Sequence, residues 1–261
     1  MAEPSVTVER HDHLLLLGVN RPEKRNAWNL DVIEGVARGL TELAQDPDLR
    51  VGVIFGHGSV FTAGLDLPAV APVIAAGEAA AVLPPGLVDP WDFLGEPCPK
   101  PVVVAVHGRC YTLGIELILA AQVAVAAADT VFAQLEVARG IVPLGGATWR
   151  LPARLGAAGA RYLLTAEEFD ANEALRIGLV TEVVPVGRHL DRAAQLAEKI
   201  ARNAPLGVQA ALAGGRAAQR SARDAAAQHL RDSMRGLFNS EDASEAVAAM
   251  LAKRPPTFQG R

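Results

Sequence analysis

The chain has 261 residues, half of them hydrophobic and 21% charged, with a net charge of −4. That suffices for one large domain, or a domain with a small appendage, around a sizeable core. The acidic balance, with no basic stripe, excludes a nucleic-acid partner. The longest apolar run, Leu117 to Ala128, contains Gln122 and falls short of the ~20 residues of a membrane span.

The opening residues alternate at Val6 and Val8 and again through Leu14 to Val19, the pattern of a two-stranded hairpin. A polar turn, Asn20-Arg21-Pro22-Glu23-Lys24-Arg25-Asn26, leads into Leu30, Ile33, Val36, Ala37, Leu40 and Leu43 at helical spacing. Asp31 and Glu34 favour the start of that helix through its dipole, and Asp46-Pro47 ends it. Val51 to Phe55 forms a buried strand, followed by a glycine-rich loop through Gly64. Residues 68–99, rich in Ala, Pro and Gly, read as a short helix and an irregular segment that shapes the substrate pocket.

Pro101 opens a second buried strand, Val102 to Val106, closed by His107-Gly108. A helix starts near Thr112 and carries Glu116. Val123 to Ala127 and Val131 to Ala133 are short strands, and Leu179 to Val184 gives the last strand signal. Residues 188–252 read as three or four amphipathic helices. Strands alternating with helices, then helices alone, indicate an α/β fold with a helical C-terminal portion. We divide it into a core over residues 1–200 and a helical region over 201–261.

Several familiar chemistries are missing. Gly56-His57-Gly58 follows a strand, but Phe61 stands where a dinucleotide fingerprint needs its third glycine. No phosphate-binding G-x-x-x-x-G-K-[ST], no G-x-S-x-G and no H-E-x-x-H occurs. His11 and His13 sit on the hairpin as solvated side chains. Cys98 and Cys110 have no metal-ligand spacing and read as reduced thiols of a cytoplasmic protein; Cys110 is simply small and buried. The early apolar burst, Leu14 to Val19, is too short for a signal segment. No metal or separate cofactor is expected.

Two loops of one kind remain. Each follows a Val-rich strand and leads into a helix: Phe61-Thr62-Ala63-Gly64-Leu65-Asp66-Leu67, and His107 through Leu117 with Gly114 and Glu116. Glycine admits close backbone approach, and helix N-termini present free N–H groups. Facing each other, the loops would offer two donors to one oxygen. Glu116 lies among Ile115, Leu117, Ile118 and Leu119, an apolar setting for a carboxyl.

These motifs resemble the crotonase (enoyl-CoA hydratase/isomerase) superfamily, in order and over nearly the whole chain. Asn20 to Ala27 is similar to its N-R-P-x-x-x-N-A turn, and Phe61 to Leu67 to its F-x-A-G-x-D-L loop. Gly114-Ile115-Glu116-Leu117 matches G-x-E-L, and Gln134-Leu135-Glu136-Val137 with Gly140-Ile141-Val142-Pro143 resembles P-E-x-x-x-G-x-x-P. Leu163 to Thr165, Ala174, Gly178 to Val180, Ser240 to Ala243, Lys253-Arg254 and Phe258 match the remainder.

The resemblance implies a spiral of ββα units and a C-terminal oligomerisation region, in a homotrimer or dimer of trimers. It implies an oxyanion hole from the N–H groups of Leu65 and Leu113, although most relatives have glycine at the latter place. Glu116 and Glu136 would be the catalytic carboxylates. Lys24, Arg25, Ala27, Ala63, Gly64, Asp66, Leu67, Tyr111, Gly114, Leu135, Arg139 and Lys253 would line the acyl-CoA path. For Asp66 a helix N-cap, for Arg139 a structural ion pair, and for Tyr111 and Trp149 packing, are the competing readings. The implied reaction is hydration of a 2-trans-enoyl-CoA to the 3-hydroxyacyl-CoA, with coenzyme A as part of the substrate. The alternatives are double-bond isomerisation or another crotonase reaction, and a non-catalytic acyl-CoA binder.

Overall fold

The structure is a computed structural model and describes residues 4–76, 82–93 and 95–261. Its main sheet has the order β1-β2-β3-β4-β6-β9. These strands are β1 (Val6–His11), β2 (Leu14–Val19), β3 (Val51–Gly56), β4 (Val102–Val106), β6 (Val123–Ala127) and β9 (Glu182–Val184). β1 and β2 form the expected antiparallel hairpin, and every other pair is parallel. A second sheet joins β5 (Arg109–Tyr111), β7 (Val131–Ala133) and β8 (Phe169–Asp170).

Parallel strands covered on both faces read as unbroken apolar runs, which is why β3 carries no polar side chain and β4 is valine but for Ala105. Alternate residues point to opposite faces. Leu15, Leu17, Ile54, Val104 and Val106 face a core built with α1 (Leu30–Gln45) and α3 (Leu113–Ala120). Val51, Val53, Val103 and Val125 face α6 (His189–Ala201), whose buried residues in that core are Ala193, Ala197 and Ala201, flanked by part-buried Leu190, Leu196 and Ile200. The small alanine side chains let α6 lie close against the sheet.

α1 starts where Asn29 accepts the Val32 N–H at 3.1 Å. α2 (Leu67–Ala75), α4 (Ala147–Thr165), α5 (Ala171–Arg176), α7 (Pro205–Phe238) and α8 (Glu241–Leu251) complete the described helices. Three helices therefore occupy the segment read as three or four. The last strand is shorter than its sequence signal. Gly178 turns at φ +80°, and the N–H groups of Leu179 and Val180 bond back to Ala174, so both residues close α5 before β9 begins. Of the segment 68–99, residues 77–81 and 94 lie outside the described residues. No described helix is long and apolar enough to cross a membrane.

The turn after β2 is held by one fully buried side chain. Asn26 accepts the Arg21 N–H at 2.8 Å and donates to the carbonyls of His57 at 2.7 Å and Val60 at 2.8 Å. Its φ of +52° is one that asparagine tolerates better than most residues. Asn26→Ala removes all three bonds and leaves buried backbone groups unpaired. We expect it to lower unfolding stability by about 2–4 kcal/mol in urea titrations. A loss under about 0.5 kcal/mol, the level of an ordinary surface change, would refute this role.

Candidate active site

The carboxyl ends of neighbouring parallel strands are where ligands bind in open α/β sheets. The loop after β3 and the loop after β4 both start there. They run side by side: Phe61 N–H donates to His107 O at 2.9 Å, Thr62 N–H to Arg109 O at 2.9 Å, and Tyr111 N–H to Thr62 O at 3.1 Å. Two glycines permit this closeness. A Cβ on Gly64 would lie 2.3 Å from Thr112 Oγ1, and one on Gly114 would lie 2.7 Å from Thr62 Cγ2.

Accounting for backbone donors isolates two of them. Ala63 N–H donates to Arg25 O, Gly64 N–H to Thr62 Oγ1 and Asp66 N–H to Trp28 O. Leu65 N–H is left without an acceptor among the described residues. In the second loop, Thr112 N–H donates to Ala133 O. Leu113 then opens α3, where the first N–H groups have no partner within the helix. Leu65, Leu113 and Glu116 line one cavity of about 570 Å³.

Thr112, which sequence reasoning passed over, makes the turn into α3 at φ +50° and ψ −112°, an outlying conformation for a β-branched residue. Its hydroxyl is buried without a partner. Positive φ in a non-glycine residue leaves no mark in a sequence.

Both expected glutamates are buried, Glu116 at 2% and Glu136 at 7% exposure. Glu116 Oε1 accepts the N–H groups of Gly145 at 2.8 Å and Ala147 at 3.0 Å. Ala147 is the first residue of α4, so this carboxyl also sits at a helix N-terminus. Glu136 is held by Gln134, whose amide lies 3.1 Å from each of its oxygens. Gly145, Ala147 and Gln134 were not singled out beforehand, although Gln134 stands only two residues from Glu136.

Burial raises both carboxyls, Glu116 to about 7 and Glu136 to about 8. Their environments split them. Two N–H donors and the Arg150 charge pull Glu116 back down, whereas the charge of Glu116 pushes Glu136 further up. The pair therefore keeps a proton up to about neutral pH, and the two N–H donors favour the ionised form at Glu116. The arrangement joins the Glu116 carboxyl and two N–H donors without acceptors among the described residues at the wall of one cavity, with the Glu136 carboxyl close enough for the charge of Glu116 to act on it. Such a site can move protons to and from a substrate whose oxygen is gaining charge.

Other expected site residues divide. Ala63, Gly64 and Gly114 lie in the paired loops. Lys24 and Arg25 are exposed on the turn beside them, next to part-buried Ala27. Part-buried Leu135 adjoins Glu136, and Lys253 is exposed just beyond α8. Leu67 and Arg139 line a separate groove against α8.

Three readings need correction. Asp66 stands at the N-cap position of α2, but its side chain makes no capping bond there and does not line the cavity; its carboxylate pairs with Arg21 at 3.2 Å. Tyr111 is tied up in structure, its hydroxyl donating to Glu168 and accepting from Arg109. Arg139 makes no ion pair among the described residues, contrary to the structural pairing favoured for it; its charge instead reaches Glu136. Trp149 packs, with the Arg150 guanidinium 4.9 Å from its ring centre.

A fold of this kind with paired loops over buried carboxyls defines a class. Residues 9–261 match the family described as Enoyl-CoA hydratase/isomerase, and the chain belongs to that family. It is 36% identical to the 2,3-dehydroadipyl-CoA hydratase of Escherichia coli K12, over 97% of this chain and 98% of that one. It is 32% identical to an enoyl-CoA hydratase of Mycobacterium tuberculosis, over 99% and 97%. Among solved structures, a probable enoyl-CoA hydratase/isomerase from Mycobacterium abscessus is 48% identical, with TM-score 0.80 over 98% of this chain and 99% of that one. A carnitinyl-CoA hydratase from Mycobacterium avium is 32% identical, with TM-score 0.86 over 100% of both. The chain is thus an enoyl-CoA hydratase-like protein with the crotonase α/β fold.

The raised carboxyls set a pH dependence. An unfolded glutamate loses its proton near pH 4.3, whereas these two keep theirs to about 7 and 8. Between those limits the folded state binds more protons, so stability falls as pH rises from about 4.3 to 8. Glu136→Gln removes one titrating group. Its stability relative to the parent should therefore increase from pH 5 to pH 8 in urea titrations. Parallel stability curves for the two proteins would refute the raised pKa.

Proposed function

We propose that the protein is an enoyl-CoA hydratase, adding water across C2=C3 of a 2-trans-enoyl-CoA to give the 3-hydroxyacyl-CoA. The observation that carries this reading is a pair of buried, interacting carboxyls, one of them, Glu116, in the cavity that also holds two N–H groups without acceptors among the described residues. Hydration needs a base for water and an acid for carbon; one residue suffices to shuttle a proton in isomerisation. The hydratase names of the relatives point the same way.

In this reading Leu65 N–H and Leu113 N–H bind the thioester carbonyl oxygen. They stabilise the enolate that forms as water attacks, and each such donor is worth about 3–4 kcal/mol. Ionised Glu116 takes a proton from the water whose oxygen bonds to C3. Protonated Glu136 delivers its proton to C2, and the C2=C3 π electrons end in the new C2–H bond. The pair finishes with Glu116 protonated and Glu136 ionised, and the proton returns between turnovers. The two titrate as one coupled unit.

The cavity supports a statement about the acyl chain. Val70 and Ile74 of α2, Trp91, and Leu230 and Met234 of α7 give it apolar walls. Its lining follows α1 from Ile33 to Gln45, about 18 Å at 1.5 Å per residue. That length takes on the order of ten carbons at ~1.5 Å per bond. The preferred substrate is thus a medium-length enoyl thioester with a mainly apolar acyl chain.

Two measurements follow. Glu136→Gln should slow the loss of enoyl absorbance by at least about 10²-fold while CoA-ester binding persists; near-normal turnover would sink the mechanism. Across 2-butenoyl-, 2-octenoyl- and 2,3-dehydroadipyl-CoA, the octenoyl ester should give a kcat/KM about tenfold or more above the others, two buried methylenes already being worth more than that factor. A preference for the four-carbon or the dicarboxylic ester would overturn the chain-length reading and leave the mechanism standing.

A further inference from the structure

Asp92 stands in the irregular segment before β4, far in sequence from either glutamate, and no motif marks it. It is 9% exposed and has φ +46°. Three arginines converge on it from two helices. Arg216 Nε of α7 donates to its Oδ2 at 3.0 Å, and Arg223 Nη1 of α7 to its Oδ1 at 3.4 Å. Arg150 Nη2 of α4 lies 3.9 Å from Oδ2 and donates to the Asp92 carbonyl at 2.5 Å.

Arg150 carries the connection onward. Its Nη1 donates to Trp91 O at 2.7 Å and to Gly145 O at 3.2 Å. Gly145 in turn gives its N–H to Glu116 Oε1 at 2.8 Å. Gly145 also has no room to shift: a Cβ there would lie 2.8 Å from Trp91 and 2.9 Å from Glu116 Oε2. A continuous set of charged and hydrogen-bonded contacts thus runs from α7 through Asp92, Arg150 and Gly145 to Glu116.

We propose that Asp92 is a positioning residue: it locks Arg150 and α7 together so that the Gly145 loop holds Glu116 in the geometry its proton transfer requires. This rests on Glu116 being the base of the proposed reaction. The charges involved are few. Asp92 faces Arg150 from α4 and Arg216 and Arg223 from α7, with Asp224 sharing Arg223. On its own segment, Asp89 is engaged by the N–H groups of Trp91, Phe93 and Gly95. Glu116 feels Arg150 and Asp89, and is coupled to Glu136. Neutralising Asp92 leaves the Arg150 charge less balanced beside Glu116, which strengthens Glu116 as an acid.

The test uses the full chain and the best enoyl-CoA of the series above. In Asp92→Asn, kcat should fall about tenfold or more, as small misplacements of a catalytic group do, while KM stays within about threefold. The acidic limb of the kcat–pH profile should move to lower pH. Asp92→Glu should recover part of kcat, and Arg223→Met, made on the more exposed side of the cluster, should shift kcat and the limb in the same directions by less. Unchanged kcat and pH profiles in Asp92→Asn and Arg223→Met would overturn the proposal. So would losses of kcat and KM together that track a fall in melting temperature. Glu116→Gln separates the two claims: if it abolishes turnover while Asp92→Asn is normal, only the positioning role fails, whereas an active Glu116→Gln removes the proposed base itself.

Discussion

The close backbone approach of the loops after β3 and β4 is the constraint on which the site depends. Two loops that each end in a helix offer free N–H groups separately; they serve one oxygen only if brought within a few ångströms of each other. Gly64 against Thr112 and Gly114 against Thr62 make that possible, because a Cβ at either glycine collides with the facing loop. Gly108 adds a third such point, where a Cβ would lie 2.2 Å from Ser59 O. The parallel pairing of β3 with β4 sets both loops out from the same end of the sheet. Asn26 then ties the first loop to the turn after β2. Fold and site are in this sense one construction.

The second constraint is electrostatic and works against stability. Burying two carboxyls within reach of each other raises both pKa values, so at neutral pH the fold holds groups that water would ionise. The protein answers unevenly. Glu116 receives two N–H donors and a helix N-terminus; Glu136 receives its own backbone N–H, the Gln134 amide and the charge of Arg139. Equal environments would leave the proton undecided between them, whereas the observed asymmetry favours the ionised form at Glu116.

The architecture was legible in the sequence wherever burial imposes a period. The apolar runs of β3 and β4, the 3.6-residue stripe of α1 and the hairpin all appear as written, because each element buries a defined face. The loops and both glutamates were legible through motif order. Other features left no such trace. Asp66 looked like a cap, but a nearby arginine, Arg21, took its carboxylate. Leu179 and Val180 have strand-like side chains, yet Gly178 turns the backbone so that their N–H groups close a helix instead. The N–H donors from Gly145 and Ala147 belong to the backbone, and composition does not encode where a backbone amide points.

The same reasoning explains why the contacts behind Glu116 escape a reading by motifs. Asp92, Arg150, Arg216 and Arg223 are separated by up to 131 positions along the chain, and each alone resembles an ordinary surface charge. Their meaning comes from burial. Arg150 and Asp92 have side chains only 8% and 12% exposed, so their pairing is little screened and removing Asp92 leaves the buried Arg150 charge poorly compensated. A charge network at that cost is hard to account for as stabilisation alone, since apolar packing of similar volume usually does as well. It is accounted for if the Gly145 loop must be held in place, because that loop supplies the N–H group that makes Glu116 the more acidic of the two carboxyls. The buried charges behind the site thereby link the surroundings of Glu116 to the long helix α7.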